Sequence, residues 1–273
     1  MSELTFYTRA GAVVADARGE GPPLLLLPAN GHDARDFDAV RPALCRRFRT
    51  IALDWPAMGR SPSPERPHEL TASVMADALE DVTATLGPSL LIGHSLGGFA
   101  AARLAIRHPE RVRGLVLVDS GGFVPLDARV RVFCALKGMT AVTRALEARF
   151  ARFHTKLRNE HTAAMLDRIE RARLRPGYAE AAAGVWRSFA RAESSLLGEL
   201  HALRAPTCIV WGARDPVLPA RLGRALHARL PGSSLWVMST GHSPFVEAPE
   251  TFLDEVLPFL DRTVPAPVAE LAP

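Results

Sequence analysis

The residues best suited to chemistry lie in one short glycine-rich segment, Gly93-His94-Ser95-Leu96-Gly97. The apolar run Leu90–Ile92 precedes it and an alanine-rich run from Phe99 follows, which predicts a strand, a sharp turn and a helix. Side chains two residues before and after the serine would collide in such a turn, so glycine is required at both positions. The turn exposes the serine hydroxyl and places the next N–H at a helix N-terminus, where the dipole favours an oxyanion. We therefore predict Ser95 as a nucleophile and the Leu96 N–H as an oxyanion donor.

A serine hydroxyl is a poor nucleophile at neutral pH, so it needs a base and an acid that orients the base. Among the nine histidines, His242 lies in a loop between an aliphatic strand pattern and a helix pattern. Asp215 also follows a strand pattern, so both side chains would reach the same edge of a sheet. The order Ser95, Asp215, His242 is a known chain order for a catalytic triad.

One further acid and four further histidines need an interpretation. Asp119 also ends a strand pattern and competes for the orienting role, but a supporting or turn-forming carboxylate is the better interpretation. The histidines in predicted helices and turns are interpreted as surface residues: His154, His161, His201 and His227.

Strand and helix patterns alternate along most of the chain, which predicts the α/β class. We expect a mostly parallel sheet of about eight strands with helices on both faces. The first two strands read as an antiparallel edge hairpin. The strand patterns cover Leu4–Thr8, Ala12–Ala17, Leu24–Leu27, Thr50–Leu53, Leu90–Ile92, Leu115–Val118, Thr207–Trp211 and Ser234–Met238.

Strand patterns disappear after the sixth strand, between residues 125 and 204. Helical patterns replace them at about 128–152, 160–173 and 178–200, and this segment holds fifteen Arg and Lys against eight Asp and Glu. We interpret 125–204 as a helical lid over the ligand-binding edge of the sheet, with residues 1–124 and 205–273 as the core. The basic residues alternate with acids, which is typical of a solvated helical surface and not of nucleic-acid binding.

A lid helix presents an apolar face both to the core and to a ligand. The large apolar residues of the lid, together with one residue of the loop after the third strand, are therefore candidates to bind substrate, and ordinary packing of the lid on the core is the alternative for each of them. They are Ala29, Phe133, Met139, Phe153, Trp186 and Phe189.

Composition narrows the functional class. Apolar residues make up 48% and charged residues 23% of the chain, as in soluble globular proteins. There is no apolar run long enough to cross a bilayer, and the N-terminus lacks a secretory pattern. The three cysteines have no metal-type spacing. We expect a cytoplasmic protein with a small-molecule substrate, no metal, no cofactor, and no nucleic-acid or membrane partner.

These motifs together resemble the α/β-hydrolase superfamily, and in particular its lid-bearing serine hydrolases. Leu24–Asn30 is similar to the strand and oxyanion turn of that family, which usually reads His-Gly-x, and the resemblance makes the Asn30 N–H the second oxyanion donor. Pro28-Ala29 departs from that pattern. Ala57 departs from the glycine of a second family loop, Asp-x-x-Gly-x-Gly-x-Ser. The other matching segments are Asp54–Ser61, Gly93–Gly98, His108–Asp119, Pro206–Asp215 and Gly241–Pro249.

The resemblance implies a serine hydrolase that acts on an ester, lactone or thioester through an acyl-enzyme. Relatives that open epoxides or remove halides carry aspartate at the elbow, so Ser95 argues against both. Hydrolytic carbon–carbon cleavage, acyl transfer and perhydrolysis use the same triad and stay open. A ligand-binding protein without activity is a further alternative, although the complete set of triad positions argues against it.

Overall fold

The computed structural model describes residues 2–264, and these contain an eight-stranded sheet. The strands are β1 (Ser2–Thr8), β2 (Gly11–Arg18), β3 (Pro23–Leu27), β4 (Arg49–Asp54), β5 (Ser89–His94), β6 (Val112–Val118), β7 (Thr207–Gly212) and β8 (Ser234–Met238). Their order in the sheet is β1-β2-β4-β3-β5-β6-β7-β8. Strands β3 to β8 are parallel, while β2 pairs antiparallel with both β1 and β4. The predicted fold class and edge hairpin are confirmed. The last predicted core residues, 265–273, lie outside the described residues.

Ten α-helices connect or follow these strands in the part of the chain that is described. They are α1 (Arg41–Leu44), α2 (Ala72–Leu86), α3 (Leu96–Arg107), α4 (Ala128–Lys137), α5 (Thr140–His154), α6 (Glu160–Ala172), α7 (Tyr178–Ser188), α8 (Arg221–Arg229), α9 (Pro244–Glu247) and α10 (Pro249–Thr263). Short 3-10 helices cover Ala34–Ala39, Pro67–Glu69, Pro109–Arg111, Ala192–Ser194 and Leu200–Ala202. Within residues 2–264, no helix combines the length and apolar character needed to cross a membrane.

The continuous aliphatic strands are buried on both faces of the sheet. In β3, Leu25 and Leu27 pack into the apolar cluster formed with α2, α3 and α8. Their neighbours Leu24 and Leu26 pack into the cluster formed with α1 and α10. Because alternate side chains of a strand point to opposite faces, an unbroken run of leucine suits a strand that is covered twice.

Helices α4 to α7 lie between β6 and β7 and differ in detail from the predicted helical runs. The predicted run at 128–152 is divided, because Met139 has an extended backbone (φ −82°, ψ 118°) between α4 and α5. The predicted run at 178–200 ends as a helix at Ser188. Beyond it the chain turns back, and the Leu196 N–H donates to the carbonyl of Gly122 (2.8 Å).

Ala57, the second departure from the family pattern, has a φ of 67° in the loop after β4. Glycine adopts this conformation without strain, which accounts for glycine at this position in the family pattern. Asp54 organises the same loop, since its two carboxylate oxygens accept the N–H groups of Ala34 (2.7 Å) and Arg60 (3.0 Å).

Parallel strands bring their carboxyl ends to one edge of the sheet, and this edge collects the polar residues singled out in the sequence. Each follows a different strand: Asn30 after β3, Ser95 after β5, Asp119 after β6, Asp215 after β7 and His242 after β8. Helices α4, α5 and α7 contribute side chains to a cavity at this edge.

Candidate active site

Ser95 sits at the junction of β5 and α3 with φ 52° and ψ −106°. Its N–H donates to the Val118 carbonyl and its own carbonyl accepts from the Gly121 N–H, both at 3.0 Å. A Cβ atom at Gly93 would meet the backbone of Gly97, and one at Gly97 would meet the Leu27 backbone. The two glycines therefore make the turn sterically possible, and the serine side chain lines the cavity.

His242 and Asp215 form a buried pair beside this serine. Nδ1 of His242 lies 2.6 Å from Oδ2 of Asp215. The other carboxylate oxygen accepts the N–H groups of Val217 (2.7 Å) and Leu218 (3.1 Å). Burial works to raise the pKa of Asp215, but the charge and hydrogen bond of His242 outweigh it and hold that pKa below its usual value. Asp215 therefore stays ionised and orients the imidazole.

Ser95 and His242 line the same cavity. In the described chain no hydrogen bond joins the serine hydroxyl to the imidazole. Catalytic hydrogen bonds commonly become short only when substrate is bound, so a looser contact is compatible with a nucleophile and its base. The structure thus brings Ser95, Asp215 and His242 to one site, while their roles stay predictions.

Asp119 is the second carboxyl group at this site and it is fully buried. Its Oδ1 accepts the Gly212 N–H (2.9 Å), whereas its Oδ2 has no hydrogen-bond partner in the described chain. Burial raises the pKa of Asp119 well above its usual value, and the adjacent charge of Asp215 raises it further. Burial and the neighbouring charge therefore favour the protonated form of Asp119, whereas the contact with His242 favours the ionised form of Asp215. Ligand atoms of Asp119, Asp215 and His242 lie within 4.8 Å of one another, a spacing that a metal ion would also accept.

The two backbone N–H groups predicted as oxyanion donors are those of Leu96 and Asn30. Neither the Leu96 N–H nor the Asn30 N–H donates a hydrogen bond within residues 2–264. The Asn30 side chain is occupied elsewhere, since its Nδ2 donates to the Ala182 carbonyl (3.0 Å). The Pro28-Ala29 turn is held in place by Trp55, whose indole N–H donates to the Pro28 carbonyl (2.8 Å). The turn thus keeps a free N–H despite its departure from His-Gly.

Four of the six residues predicted to bind substrate line the cavity: Ala29, Phe133, Trp186 and Phe189. Met139 and Phe153 do not line it, and they are 53% and 58% exposed. These two predictions are corrected. Met139 precedes the first residue of α5, and Phe153 lies outside the face that α5 turns to the cavity.

The cavity face of α5 consists of Glu147, Phe150 and His154, spaced three and four residues apart as on one side of a helix. The sequence analysis missed all three in this role, and the prediction of His154 as a surface residue is wrong. Its side chain is buried, and its ring centre lies 5.1 Å from that of His242. Helical spacing was the available signal. The direction of the face depends on packing between helices, which the sequence does not give.

Glu247 is a further residue that the sequence analysis missed. Its Oε2 accepts the backbone N–H groups of Lys156 (2.9 Å), Leu157 (2.8 Å) and Gly241 (2.9 Å). In addition, the His242 N–H donates to the carbonyl of His154 (3.0 Å). One buried carboxylate therefore joins the turn between α5 and α6 to the loop that carries His242.

Comparison with known proteins agrees with this geometry. The family model described as alpha/beta hydrolase fold matches residues 22–249. The chain belongs to the α/β-hydrolase family. A pimeloyl-[acyl-carrier protein] methyl ester esterase from Neisseria meningitidis serogroup B is 31% identical over 231 residues, which is 81% of this chain and 86% of that protein.

Two solved structures of this α/β-hydrolase fold are similar over nearly the whole chain. A thermophilic esterase from Thermogutta terrifontis with malate bound has a TM-score of 0.80 at 25% identity, over 96% of this chain and 99% of that chain. A meta-cleavage product hydrolase from Pseudomonas fluorescens has a TM-score of 0.76 at 21% identity, over 96% of this chain and 98% of that chain. The second likeness is one of fold alone.

Substitution of the two carboxyl groups tests the assignment of the orienting acid. Asp215→Asn is expected to lower kcat by about 10³–10⁴-fold, because an amide favours the wrong imidazole tautomer. Asp119→Asn is expected to cost about tenfold or less, because a neutral amide resembles a protonated carboxyl group and keeps an acceptor for the Gly212 N–H. Ester turnover by both purified variants measures the difference, and a larger loss at Asp119 would reverse the assignment.

Proposed function

We propose that this protein is a serine esterase that cleaves carboxylic esters of small molecules through an acyl-enzyme. The observation that carries the proposal is the 2.6 Å contact between Nδ1 of His242 and Oδ2 of Asp215. His242 lines the same cavity as Ser95. A nucleophile, a base and an acid that orients the base are the minimum set for this reaction. The esterases among the relatives support ester hydrolysis over the other reactions of the fold.

In the proposed reaction Ser95 Oγ attacks the ester carbonyl carbon while His242 Nε2 takes the hydroxyl proton. The carbonyl π electrons move onto oxygen, and the N–H groups of Leu96 and Asn30 bind the resulting oxyanion. The carbon–alkoxy bond then breaks, and His242 returns the proton to the departing alcohol. Water attacks the acyl-enzyme carbonyl while His242 takes a proton from the water. The second tetrahedral intermediate then collapses, the bond from carbon to Ser95 Oγ breaks, and His242 returns the proton to that oxygen as the acid is released.

Helices α4 to α7 are proposed to act as the lid and to select the acyl or alkyl chain. Aromatic side chains of three of these helices line the cavity: Phe133 from α4, Phe150 from α5 and Trp186 from α7. The hydrogen bonds that Glu247 accepts from Lys156 and Leu157 tie the turn between α5 and α6 to the core, so any opening of the lid would have to occur elsewhere. The free thiols Cys45, Cys134 and Cys208 support a reducing compartment, which we take to be the cytoplasm.

Replacement of the proposed nucleophile tests the activity. The wild type should hydrolyse short p-nitrophenyl esters and be labelled by a fluorophosphonate, whereas Ser95→Ala should lose labelling and lower kcat by roughly 10³–10⁶-fold. Ser239→Ala, an exposed serine near His242, is the matched control and should behave as the wild type. Activity should survive a metal chelator. Labelling that persists in Ser95→Ala, or activity that the chelator abolishes, would contradict the proposal.

Truncation of the aromatic lining tests the lid as the specificity element. Phe133→Ala and Trp186→Ala should move the preferred chain length, because each substitution enlarges a cavity wall. Phe153→Ala is the matched control, since this aromatic residue lies on α5 outside the cavity. The measurement is kcat/KM over p-nitrophenyl esters of increasing length. Equal losses for every ester in all three variants would show that the lid does not set specificity.

A further inference from the structure

The turn that carries the Asn30 N–H is closed by a backbone hydrogen bond of its own. It spans residues 29–32, and the carbonyl of Ala29 accepts the N–H of His32 (3.2 Å). Gly31, the third residue of the turn, has a φ of 79°, the positive value that a type II turn needs at this position. A peptide unit is planar, so the direction of the Ala29 carbonyl fixes the opposite direction of the Asn30 N–H. The shape of this turn therefore decides the direction of the proposed oxyanion donor.

Two buried hydrogen bonds join this turn to α7, one of the helices proposed as the lid. The hydroxyl of Tyr178 donates to the Gly31 carbonyl (2.8 Å), and Nδ2 of Asn30 donates to the Ala182 carbonyl (3.0 Å). Tyr178 and Ala182 are both buried. The Tyr178 hydroxyl also packs on Gly31, where a Cβ atom would lie 2.6 Å from it. Both central residues of the turn are thus held by α7.

Helix α7 is itself attached to the core through its C-terminal half. Oγ of Ser188 accepts the N–H of Ala72, the first residue of α2 (2.8 Å). Gly184 packs directly on backbone, since a Cβ atom there would meet the carbonyl of Leu70. Helix α4 differs, because side chains along it such as Leu136 are exposed. Helix α7 therefore supports the turn as a core helix would, although it belongs to the segment between β6 and β7.

We propose that Tyr178 is a positioning residue, which orients the Asn30 N–H toward the oxyanion through its hydrogen bond to the Gly31 carbonyl. The side chain of Asn30 has the same task through its bond to Ala182. Tyr178 does not line the cavity, so loss of its hydroxyl should weaken binding of the transition state and leave substrate binding unchanged. A lid opening that moved α7 would break both hydrogen bonds and misplace the donor. This role rests on the proposed esterase function.

The kinetic test uses the two tyrosines of the chain. Tyr178→Phe keeps the ring and removes only the hydroxyl. Acylation and deacylation both form an oxyanion, so kcat for a p-nitrophenyl ester should fall about tenfold while KM changes by less than about twofold. The loss should stay below the roughly 10²–10³-fold that removal of a whole oxyanion donor costs. Tyr7→Phe is the matched control, because Tyr7 is exposed on β1, and it should keep the wild-type kcat.

A transition-state analogue separates positioning from a general loss of packing. Ser95 Oγ adds to the carbonyl carbon of an alkyl trifluoromethyl ketone, its proton passes to His242, and the carbonyl π electrons form an oxyanion. The corresponding trifluoromethyl alcohol is similar in shape but forms no adduct. In Tyr178→Phe the inhibition constant of the ketone should rise by the factor by which kcat/KM falls, while that of the alcohol stays unchanged. Equal weakening of both inhibitors would show a purely structural role and overturn the proposal.

Asn30→Ala is the second variant, and it tests the same support if Tyr178→Phe does not fold. It removes the hydrogen bond to Ala182 but keeps the backbone N–H of residue 30. It should therefore weaken binding of the ketone more than binding of the alcohol, as Tyr178→Phe does. Near-UV circular dichroism checks the fold of each variant before it is assayed. Wild-type affinity for the ketone in Asn30→Ala would contradict the support of the turn by α7.

Failure of the esterase proposal gives a different result from failure of the positioning role. A wild type that hydrolyses no ester and is not labelled by a fluorophosphonate contradicts the esterase, and the positioning role falls with it. If the wild type hydrolyses esters while Tyr178→Phe matches Tyr7→Phe in kcat and in ketone affinity, the positioning role alone is overturned. The esterase proposal then stands.

Discussion

Close approach of three backbone segments fixes the geometry on which the site depends. The turn at Ser95 has a positive φ, a conformation that costs a residue other than glycine about 1–3 kcal/mol, and it persists because the surrounding backbone leaves no alternative. Gly97 packs directly on the carbonyl of Leu27, which joins the turn at Ser95 to the end of β3, just before Asn30. The distance between Ser95 and the proposed oxyanion donor is therefore a property of backbone packing and not of a flexible side chain.

Burial has the largest single effect on the pKa values of the titratable groups clustered at the site. His94 and His154 have pKa values well below the usual range, because burial and the charge of His242 both disfavour their protonation. Burial and the charge of Asp215 raise the pKa of Asp119. The remaining buried histidines each contact one carboxylate: His242 contacts Asp215 and His32 contacts Asp36. Two imidazole–carboxylate contacts thus lie at one edge of the sheet, and the proposed proton transfer uses the one beside Ser95.

Short-range patterns predicted the features that depend on local sequence. The alternation of strands and helices, the eight-stranded sheet and the glycine requirement around Ser95 follow from periodicity and sterics. The same patterns predicted that Asp215 and His242 would reach one edge. Features that depend on long-range packing were missed: Glu247 accepts N–H groups from residues about ninety positions away. Likewise, the exposure of Phe153 and the burial of His154 depend on which face of α5 turns to the cavity.

The central claim is that the acyl group of the ester is transferred to Ser95 before water attacks the acyl carbon. Rapid acid quench of the enzyme with a p-nitrophenyl alkanoate, followed by digestion and mass spectrometry, tests it directly. The account predicts a transient mass increase equal to the acyl group on the peptide that contains Ser95, appearing with a burst of p-nitrophenol and absent from heat-denatured protein. Steady release of p-nitrophenol without a burst, together with no acylated Ser95 peptide at any quench time, would contradict it.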